Sequence, residues 1–351
     1  MSASRELFAS LMRAAPNFWT EPPGILANLL LPIAAAWDSA ARLRHVLSRP
    51  YHPPVPVICI GNLVAGGAGK TPVALAVTSL LTAEGVDAHI VTRGYGGRLA
   101  GPVQVNRTYH DAAAVGDEAL LLAARSACWV ARDRAAGVRA AVAAGADIVL
   151  LDDGFQNPAV AKTFSILVVD AQYGFGNRRV IPAGPLRERL HRGLARADSL
   201  VLLGGEAVGP LFDRHETARA LPVLPAVLAP VAGERFRGSR VLAFAGIGRP
   251  EKFFTTLRRL GAMLVDTRSF PDHYPYQAAH IDRLRHEADR TQARLVTTAK
   301  DIVRVPPANR SGIEVLEVEI RWANPNALGD LLRPIVPTAA NDGCNSVDRH
   351  H

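Results

Sequence analysis

Residues 55–72 read VPVICIGNLVAGGAGKTP, an apolar run from Val55 to Ile60 followed by a glycine-rich loop that closes on Gly69-Lys70-Thr71. Glycines let successive backbone N–H groups turn toward one anion, the Lys70 ammonium can reach the β- and γ-phosphates, and the Thr71 hydroxyl can hold Mg²⁺. Val64 stands where the usual pattern has a glycine, and Gly66-Gly67 can supply the turn instead. The stretch predicts a strand, a phosphate-binding loop and a helix, with ATP or GTP bound by Gly66, Gly67, Ala68, Gly69, Lys70, Thr71 and Pro72.

The composition indicates a globular chain with an acidic partner. With 351 residues and 48% hydrophobic content, the chain can bury a full core in one large or two medium domains. Its net charge of +8 suits nucleic acid, anionic lipid or a phosphorylated ligand, although an arginine-rich genome composition would also produce it. Three cysteines without CxxC spacing argue against a disulfide framework and favour a reducing cytosolic environment.

The N-terminal segment Pro22–Trp37 is strongly apolar but too short to span a bilayer, which takes about 20 apolar residues. A cleaved signal peptide is disfavoured because export would separate the phosphate loop from its nucleotide. Two interpretations stay open: a helix buried in the core, or an interfacial helix on anionic lipid. Both rest on apolar residues at helical spacing and a following basic group: Leu26, Leu29, Leu30, Ile33, Arg42, Arg44 and Arg49.

From Val55 to about Leu203, β-rich runs alternate with helical stretches, which predicts a parallel sheet covered by helices on both faces. We expect strands at Val57–Ile60, Ala88–Thr92, Cys128–Ala131, Ile148–Asp152, Ile166–Asp170 and Ser199–Leu203. We expect helices at Lys70–Glu84, Glu118–Ala127, Arg132–Ala144 and Leu186–Ala195. Ligands of such sheets bind beyond the carboxyl ends of the strands, so the loops there are the places to look for chemistry.

A second α/β pattern follows the proline-rich segment Leu221–Pro230. Its expected elements are strands Arg240–Ala245 and Leu295–Thr298 and helices Pro250–Leu260 and Ile281–Ala293. The alternating run Ile313–Ile320 can return to pair with Leu221–Val231 as a short β hinge between the domains. We therefore expect an N-terminal apolar region (1–50), a P-loop nucleotide-binding domain (51–225), a smaller α/β domain (226–336) and a frayed tail (337–351).

Four motifs follow predicted strands on the edge of the phosphate loop. Two are weak by themselves, since Arg93-Gly94-Tyr95-Gly96-Gly97 can be a simple turn and the Asp of Gly116-Asp117-Glu118 can be a helix cap. Asp152-Asp153-Gly154-Phe155-Gln156 ends a buried strand and supplies the paired carboxylates that Mg²⁺ with a nucleotide needs. Finally, Gly176-Asn177 leads to Pro185, which we expect to start a helix with Arg187 and Glu188 in its first turn.

In the second domain, His273 follows Asp272 in a turn, where a histidine can orient or accept protons, although a surface histidine is the simpler interpretation. Thr297-Thr298-Ala299-Lys300-Asp301 ends a strand and can lend Lys300 to the cleft between the domains.

Together these motifs resemble the tetraacyldisaccharide 4′-kinase family, the lipid A 4′-kinases of Gram-negative bacteria. The resemblance covers about residues 55–305 in the family's order. It rests on Gly61 to Pro72 (GNLxxGGxGKTP), Arg93 to Gly96 (RGYG), Gly116 to Glu118 (GDE), Asp152 to Gln156 (DDGFQ), Gly176 to Glu188 (GN…PAGPLRE), Pro271 to His273 (PDH) and Thr297 to Asp301 (TTxKD).

The resemblance implies a lipid kinase that transfers the γ-phosphate of ATP, with Mg²⁺, to the 4′-hydroxyl of an acylated disaccharide 1-phosphate. It also implies a peripheral or monotopic protein at the cytoplasmic face of the inner membrane, with the N-terminal helix on the membrane surface. We expect a monomer and no nucleic acid partner.

The resemblance also assigns roles to residues. Asp117 is the expected catalytic carboxylate, assisted by His273, with Lys70 and Arg187 neutralising charge on the transferred group. Carried over in the same way, the metal residues are Thr71, Asp152, Asp153 and Glu188, and the substrate residues are Asn62, Arg93, Tyr95, Gln156 and Asn177. The chain departs from the family pattern at Asn157, Ala119 and Ala299, and the Asn157 side chain cannot titrate.

Two other classes compete with this interpretation. A P-loop switch or metal-insertion ATPase or GTPase uses a similar loop but needs no hydroxyl acceptor, no Asp117 and His273 pair and no apolar N-terminal helix. An arginine-rich nucleic-acid-binding protein is disfavoured because the basic residues are scattered and no recognition motif accompanies them.

Overall fold

The computed structural model describes residues 16–204 and 221–337, which form two sheets of predominantly parallel strands. In chain order the strands are β1 (Val57–Gly61), β2 (Ala88–Thr92), β3 (Val103–Gln104), β4 (Cys128–Val130), β5 (Ile148–Asp152), β6 (Phe164–Asp170), β7 (Ser199–Leu203), β8 (Val223–Pro230), β9 (Arg240–Ala245), β10 (Met263–Ser269), β11 (Arg294–Thr298), β12 (Ile313–Leu316) and β13 (Val318–Trp322). The nine-stranded sheet has the order β13-β8-β7-β6-β1-β5-β2-β4-β3, and the four-stranded sheet has the order β10-β9-β11-β12.

Helices connect most of these strands. They are α1 (Ile25–Leu29), α2 (Leu31–Leu47), α3 (Lys70–Ala83), α4 (Ala112–Val115), α5 (Asp117–Leu122), α6 (Arg134–Ala143), α7 (Leu190–Ala195), α8 (Pro250–Arg259), α9 (Ala278–Arg290), α10 (Ala299–Ile302) and α11 (Ala327–Leu332). The P-loop NTPase-like α/β class expected from the sequence is confirmed.

The pairing of the central strands places the phosphate loop and two carboxylates at one edge of the large sheet. Strands β1 and β5 are buried along their whole length, as expected of continuous Val, Ile and Leu runs covered on both faces. They pair in parallel with Ile60 opposite Asp152. The phosphate loop after β1 and the two carboxylates after Leu151 therefore leave the sheet side by side.

The smaller sheet is wholly parallel and has one amphipathic helix on each face. Alternate residues of β9 point to opposite sides, as the twofold period of a strand requires. Val241 and Ala243 pack with Phe254 of α8, whereas Leu242 and Phe244 pack with residues of α9. The small domain thus has a core of its own.

The chain crosses between the two units in both directions. β8 and β13 pair antiparallel, as the proposed hinge required, but the pair extends the nine-stranded sheet and is not a separate ribbon. The expected boundary at residue 225 falls inside β8, and α11, which follows β13, buries Leu328 and Leu332 in the core of the large sheet.

The run that begins at Ile313 is divided between the two sheets, because its first part, β12, pairs with β11 in the small sheet. The expected tail lies, from residue 338 onward, outside the described residues.

One expected helix begins later than predicted. The chain does not turn into a helix after Pro185, because the Leu186 N–H donates to the carbonyl of Arg179 and the Arg187 N–H donates to the carbonyl of Leu63. These bonds keep the segment extended against the phosphate loop, and α7 starts only at Leu190. The prediction that Arg187 and Glu188 occupy a first helical turn is therefore wrong.

The N-terminal helices lie on the large domain with one face only. Ala27, Ala34 and Asp38 are buried on that face. The opposite face exposes large apolar side chains to an unusual degree: Ile25 (82% exposed), Leu26, Leu29 (71%), Ile33, Trp37, Leu43, Val46 and Leu47. The interpretation as a buried core helix is therefore wrong.

Candidate active site

The phosphate loop depends on glycine at its junction with α3. Gly69 caps the helix with a φ of 82°, a left-handed conformation that favours glycine, and a Cβ there would lie 2.5 Å from the Leu203 side chain. Gly66 and Gly67 are exposed and open, with no neighbouring atom in the way of a ligand. Lys70 and Thr71 then form the first residues of α3.

Lys70 is held in the loop by two oxygen acceptors. Its Nζ lies 3.3 Å from Oδ1 of Asn62 and 3.7 Å from Oδ1 of Asp153. The other side of the Asn62 amide donates to the carbonyl of Gly66 at 3.3 Å. Asn62 is completely buried, so its side chain shapes the loop and orients the lysine, in contrast to the substrate contact expected from the sequence.

The two carboxylates after β5 have different environments. Asp153 has a positive φ of 52°, and Arg187 Nη1 lies 3.1 Å from its Oδ1. Burial opposes ionisation of Asp153, but the charges of Lys70 and Arg187 outweigh it and lower the pKa. Asp152 accepts from the Thr92 hydroxyl at 3.3 Å. Burial, together with the charges of Glu118 and Asp153, raises the pKa of Asp152 to about 7.

The DDGFQ and PLRE motifs interlock beside these carboxylates. The Gln156 amide donates to the carbonyl of Asn62 at 3.1 Å and to Oε1 of Glu188 at 3.2 Å. Arg196 Nη2 lies 2.7 Å from the same Glu188 oxygen. Glu188 thus has its own partners, and the bond from Gln156 to the Asn62 carbonyl ties the DDGFQ motif to the phosphate loop.

The residues present fit a magnesium ion in part. Oδ1 of Asp152 is buried and has no hydrogen-bond partner among the described residues, which leaves one carboxylate oxygen free for a cation. Hydroxyl and carboxylate oxygens are the ligands that Mg²⁺ takes, usually from only one or two carboxylates and substrate phosphates. Within residues 16–204 and 221–337, no group of three or more His, Cys, Asp and Glu side chains is arranged to hold a metal. The structure therefore does not unite Glu188 with Asp152 and Asp153 in one cluster.

A carboxylate and an imidazole meet across the two domains. Nδ1 of His273, in the turn after β10, lies 2.9 Å from Oδ2 of Asp117 at the start of α5. The His273 backbone has a positive φ of 58°, a strained conformation of the kind that concentrates at functional sites. His273 is partly exposed, whereas Asp117 is buried.

The charges around this pair favour the ionised form of both groups. The hydrogen bond to Asp117 raises the pKa of His273, against the effect of burial. Burial alone would raise the pKa of Asp117, but the hydrogen bond and charge of His273, then Lys300 and Arg304, outweigh burial and lower it. Protons on such a pair belong to the two groups together.

Glycines bring the RGYG loop against the same site. Gly116, with a φ of 87°, caps α5, and a Cβ there would lie 2.5 Å from the carbonyl of Tyr95. The Tyr95 ring is 70% exposed and its centroid lies 5.6 Å from that of His273. Arg93 is also exposed beyond the end of β2. The Tyr95 side chain therefore borders the cleft between the domains.

Two groups of ion pairs join the domains on either side of the phosphate loop. Lys300 Nζ lies 2.6 Å from Oε1 of Glu118 next to the Asp117 and His273 pair. At the end of β6, Asp170 contacts Arg249 at 3.1 Å and Lys252 at 2.9 Å. Since β6 lies next to β1 in the sheet, the Asp170 contacts bring the small domain to the edge that carries the loop.

The Asn177 side chain is engaged in hydrogen bonds to the backbone. Its Nδ2 donates to the carbonyls of Phe18 and Ala183 at 3.1 and 3.0 Å, and its Oδ1 accepts from the Arg179 N–H. Both amide hydrogens are used, so Asn177 fastens the N-terminal segment to the loop that leads to Arg187.

The sequence interpretation missed three arginines, of which Arg134 and Arg304 have buried side chains and Arg196 is exposed. Arg134 donates to the carbonyl of Asp152 at 3.3 Å, Arg196 pairs with Glu188, and Arg304 lies 3.6 Å from Asp117. The spacing of Arg304, three residues after Asp301 and thus about one helical turn away, was the available signal. Arg134 and Arg196 had no such signal, because their partners Asp152 and Glu188 lie 18 and 8 residues away in the chain, beyond one helical turn.

Comparisons with known proteins identify the relatives of this chain. The profile of the family described as tetraacyldisaccharide-1-P 4′-kinase matches residues 26–336. A tetraacyldisaccharide 4′-kinase from Rhodospirillum centenum is 54% identical over 92% of this chain and 96% of its own length. One from Dinoroseobacter shibae is 51% identical over 92% of this chain and 98% of its own length.

Among solved structures, that of LpxK from Aquifex aeolicus in complex with ATP superposes with a TM-score of 0.73 at 25% sequence identity. It covers 89% of this chain and all of the Aquifex chain. With these matches, a P-loop switch or metal-insertion ATPase is not favoured. The chain belongs to the tetraacyldisaccharide-1-P 4′-kinase family.

Proposed function

We propose that this kinase transfers the γ-phosphate of ATP to the 4′-hydroxyl of tetraacyldisaccharide 1-phosphate at a membrane surface, with Asp117 as proton acceptor. The observation that carries the proposal is the Asp117 and His273 contact of 2.9 Å at the sheet edge that also bears the phosphate loop. A loop that only exchanges or hydrolyses nucleotide would need no such pair from the second domain.

In the proposed reaction, the 4′-oxygen of the sugar forms a bond to the γ-phosphorus while the bond from that phosphorus to the leaving oxygen of ADP breaks. The hydroxyl proton moves to the Asp117 carboxylate, which His273 holds in place through Nδ1. A positioned acid–base group of this kind contributes typically ~10²- to 10⁴-fold. The small domain supplies His273 and the large domain supplies Asp117, so the pair is assembled only when the two domains are in contact.

Charge on the transferred group is neutralised by residues of the large domain. Lys70 extends from the loop, and Arg187 lies beside it through their shared contact with Asp153. Thr71, Asp152 and Asp153 would hold Mg²⁺, which supplies positive charge to the phosphates in phosphoryl transfer. Preorganised positive groups are the larger part of catalysis in this reaction class.

The N-terminal helices would attach the enzyme to the membrane surface. None of the helices in the described ranges is long and apolar enough to cross a bilayer. The exposed apolar face of α1 and α2, with exposed Arg42 and Arg44 nearby, suits a helix lying in the lipid interface. α2 is fastened through Asp38 to Arg189 and Arg192, close to Arg187 in the chain, so an acyl-chain anchor and the phosphate site would adjoin.

The proposal is tested by transfer of labelled γ-phosphate from Mg·ATP to tetraacyldisaccharide 1-phosphate in detergent micelles. Wild type is compared with Lys70→Ala and Asp117→Asn. Labelled lipid that depends on both residues is the expected result. Release of inorganic phosphate without labelled lipid would overturn the lipid acceptor, and near-normal turnover by a folded Asp117→Asn variant would overturn the base assignment.

A further inference from the structure

Below His273, a fully buried carboxylate organises the small domain. Asp301 at the end of α10 accepts from the Gly246 N–H, the Tyr276 hydroxyl and Arg304 Nη2, each at 2.8 Å, and also from the Thr298 hydroxyl. Four donors to one buried carboxylate satisfy it completely. The first of these donors, Gly246, is the residue after β9, directly under the turn that carries His273.

Gly246 connects Asp301 to the His273 turn through its backbone. Its carbonyl accepts from the His273 N–H at 3.1 Å and from Arg304 Nη2 at 2.9 Å. A Cβ on Gly246 would lie 2.9 Å from the carbonyl of Pro271, so the turn lies directly on the glycine backbone. The backbone position of His273 is therefore tied to Asp301 and Arg304.

Arg304 also reaches the other member of the pair. Its Nε lies 3.6 Å from Oδ2 of Asp117, the same oxygen that His273 contacts. The guanidinium is only 5% exposed, and its Nη1 is buried without a partner among the described residues. A buried guanidinium with a free nitrogen is costly, and the folded domain must compensate for that cost.

We propose that Arg304 is a positioning residue for phosphoryl transfer, which with Asp301 holds the His273 turn on the small domain and the Asp117 carboxylate on the large domain in one geometry. The proposal rests on the proposed function of the Asp117 and His273 pair. In this role Arg304 acts through Asp117, which takes the proton, and through His273, which holds Asp117 in place.

Several charges face the pair, and Arg304 differs from the others in its contacts. Three cationic groups face Asp117: His273 from the turn after β10, Lys300 from α10 and Arg304 from the turn after α10. His273 also faces Asp272 and Lys300. Of these groups, Arg304 contacts both Asp117 and the backbone carbonyl that binds His273. Loss of its positive charge would favour protonation of the pair and move its titration to higher pH.

The experiment compares Arg304→Gln and Arg304→Lys with Arg294→Gln in the full-length enzyme. Arg294 is a matched control because it too joins several small-domain groups, through Glu314, the Arg235 carbonyl and the Ser239 hydroxyl, without touching Asp117 or His273. We expect Arg304→Gln to lower kcat about 10- to 100-fold with less than a threefold change in the KM for ATP. Its kcat–pH profile should shift to higher pH by several tenths of a unit.

Arg304→Lys retains the charge but not the fork of donors, so it should lose kcat without the shift in pH profile. If Arg304→Gln does not fold, Arg304→Lys tests the inference: its kcat should fall more than that of Arg294→Gln, whereas equal losses would overturn the inference. The ¹⁵N signals of the His273 ring, identified by their loss in His273→Gln, give a second readout. Their titration should move to higher pH in Arg304→Gln and stay unchanged in Arg294→Gln.

An equal loss of kcat in Arg304→Gln and Arg294→Gln, with an unchanged pH profile, would show that Arg304 only stabilises the domain and would overturn the inference. Asp117→Asn distinguishes a failure of the inference about Arg304 from a failure of the role proposed for Asp117. If Asp117→Asn is inactive while both Arg304 variants turn over normally, the inference fails and the proposed function stands. If Asp117→Asn is fully active, the assignment of Asp117 as proton acceptor and the inference about Arg304 fail together, whereas labelled lipid still tests the lipid acceptor.

Discussion

Nζ of Lys300 lies 2.6 Å from Oε1 of Glu118, which joins the TTxKD motif of the small domain to the GDE motif of the large domain. Burial works against the charge on Lys300, but the Glu118 carboxylate outweighs burial and raises the lysine pKa. Two motifs that lie 182 residues apart in the chain thus form one ion pair beside the proposed catalytic pair.

We expect this ion pair to support the contact between the domains without taking part in the chemistry. Lys300→Met and Glu118→Gln should each raise the KM for ATP about two- to fivefold, because a partly exposed pair contributes about 0.3 to 1 kcal/mol. The exchange Lys300→Glu with Glu118→Lys should restore part of the loss. Steady-state kinetics of the single and double variants measure the coupling, with the exposed Arg333 and Asp330 pair as control. Purely additive effects would contradict an interaction between the two side chains.

Activity should rise with pH as the Asp117 and His273 pair loses a proton. The pKa of His273 is raised from its ordinary value of 6.5, so kcat should climb through an apparent pKa above 6.5. His273→Gln should remove this rise and lower kcat by about 100-fold. A kcat–pH profile from pH 5 to 9 with labelled lipid as product measures both effects. A wild-type profile that is flat between pH 6 and 8 would argue against the pair as proton acceptor.

Stability should respond to pH through the same pair, with opposite signs for its two members. Asp117 has a lowered pKa, so its contribution is present above the unfolded carboxyl pKa and is lost as pH falls through the folded value. His273 has a raised pKa, so its contribution is complete below 6.5 and is lost as pH rises through the folded value. The contribution of the pair to the free energy of unfolding should be largest between about pH 4 and 6.5. Thermal unfolding of wild type minus His273→Gln, measured across pH, should show this window.

The Lys70 ammonium should be essential for catalysis and dispensable for folding. Lys70→Met removes a preorganised charge from the transferring phosphate, and losses of about 10²- to 10³-fold are typical for one such donor. Asn62→Ala should have a smaller effect of the same kind, since Asn62 only orients Lys70 at 3.3 Å. Labelled-phosphate transfer compares the two variants, and circular dichroism checks the fold. An Asn62→Ala enzyme less active than Lys70→Met would contradict this order.

The sequence predicted correctly the elements that are determined by residues within the same segment of the chain. The phosphate loop, Asp152 and Asp153 lie where expected because buried strands with continuous Ile, Val and Leu runs fix the sheet edge. The helix expected after Pro185 does not form there, since the carbonyls of Arg179 and Leu63 bind its N–H groups from outside the segment. Such tertiary hydrogen bonds have no signature in the local pattern.

In the candidate site, too, contacts between distant parts of the chain could not be predicted from local sequence patterns. Asp117 and His273 could be paired in advance only by resemblance to a family, since 156 residues separate them. Asn62 and Asn177 were expected at the substrate because their motifs resemble the family's, and the structure uses their amides to hold backbone carbonyls. Arg304 lies outside the family motifs; its spacing from Asp301 indicates at most a pair within one helical turn, and its contacts with Asp117 and Gly246 make it a candidate for the site.

Asp38 should be the main polar attachment of α2 to the large domain. Its carboxylate is buried and contacts Arg189 at 2.9 Å and Arg192 at 3.1 Å. Asp38→Asn should lower the free energy of unfolding by about 1 to 2 kcal/mol, because the arginines remain partly solvated and recover some hydration. Denaturant titration measures the change, and Asp330→Asn on the surface of α11 serves as control. A loss no larger than in the control would mean that apolar contacts alone hold the helix.

The exposed apolar face of α1 and α2 should determine how strongly the enzyme binds lipid. Substituting Ile25, Leu29 and Ile33 together by Ser removes three side chains that are each more than half exposed, so the fold should tolerate the change. Each buried aliphatic side chain contributes about 1.5 kcal/mol or more to transfer from water, so vesicle binding should weaken at least about tenfold. Co-sedimentation with vesicles containing phosphatidylglycerol measures the affinity.

The matched control substitutes Val227, Leu228 and Met263, three large apolar side chains exposed elsewhere on the protein, by Ser. It should leave vesicle binding unchanged, because these residues do not share the face of α1 and α2. Both triple variants should keep wild-type kcat on the acceptor in detergent micelles, where the lipid surface is no longer needed for encounter. Equal vesicle binding by the two variants would contradict a membrane-surface role for α1 and α2, whereas a selective loss in the helix variant would support it.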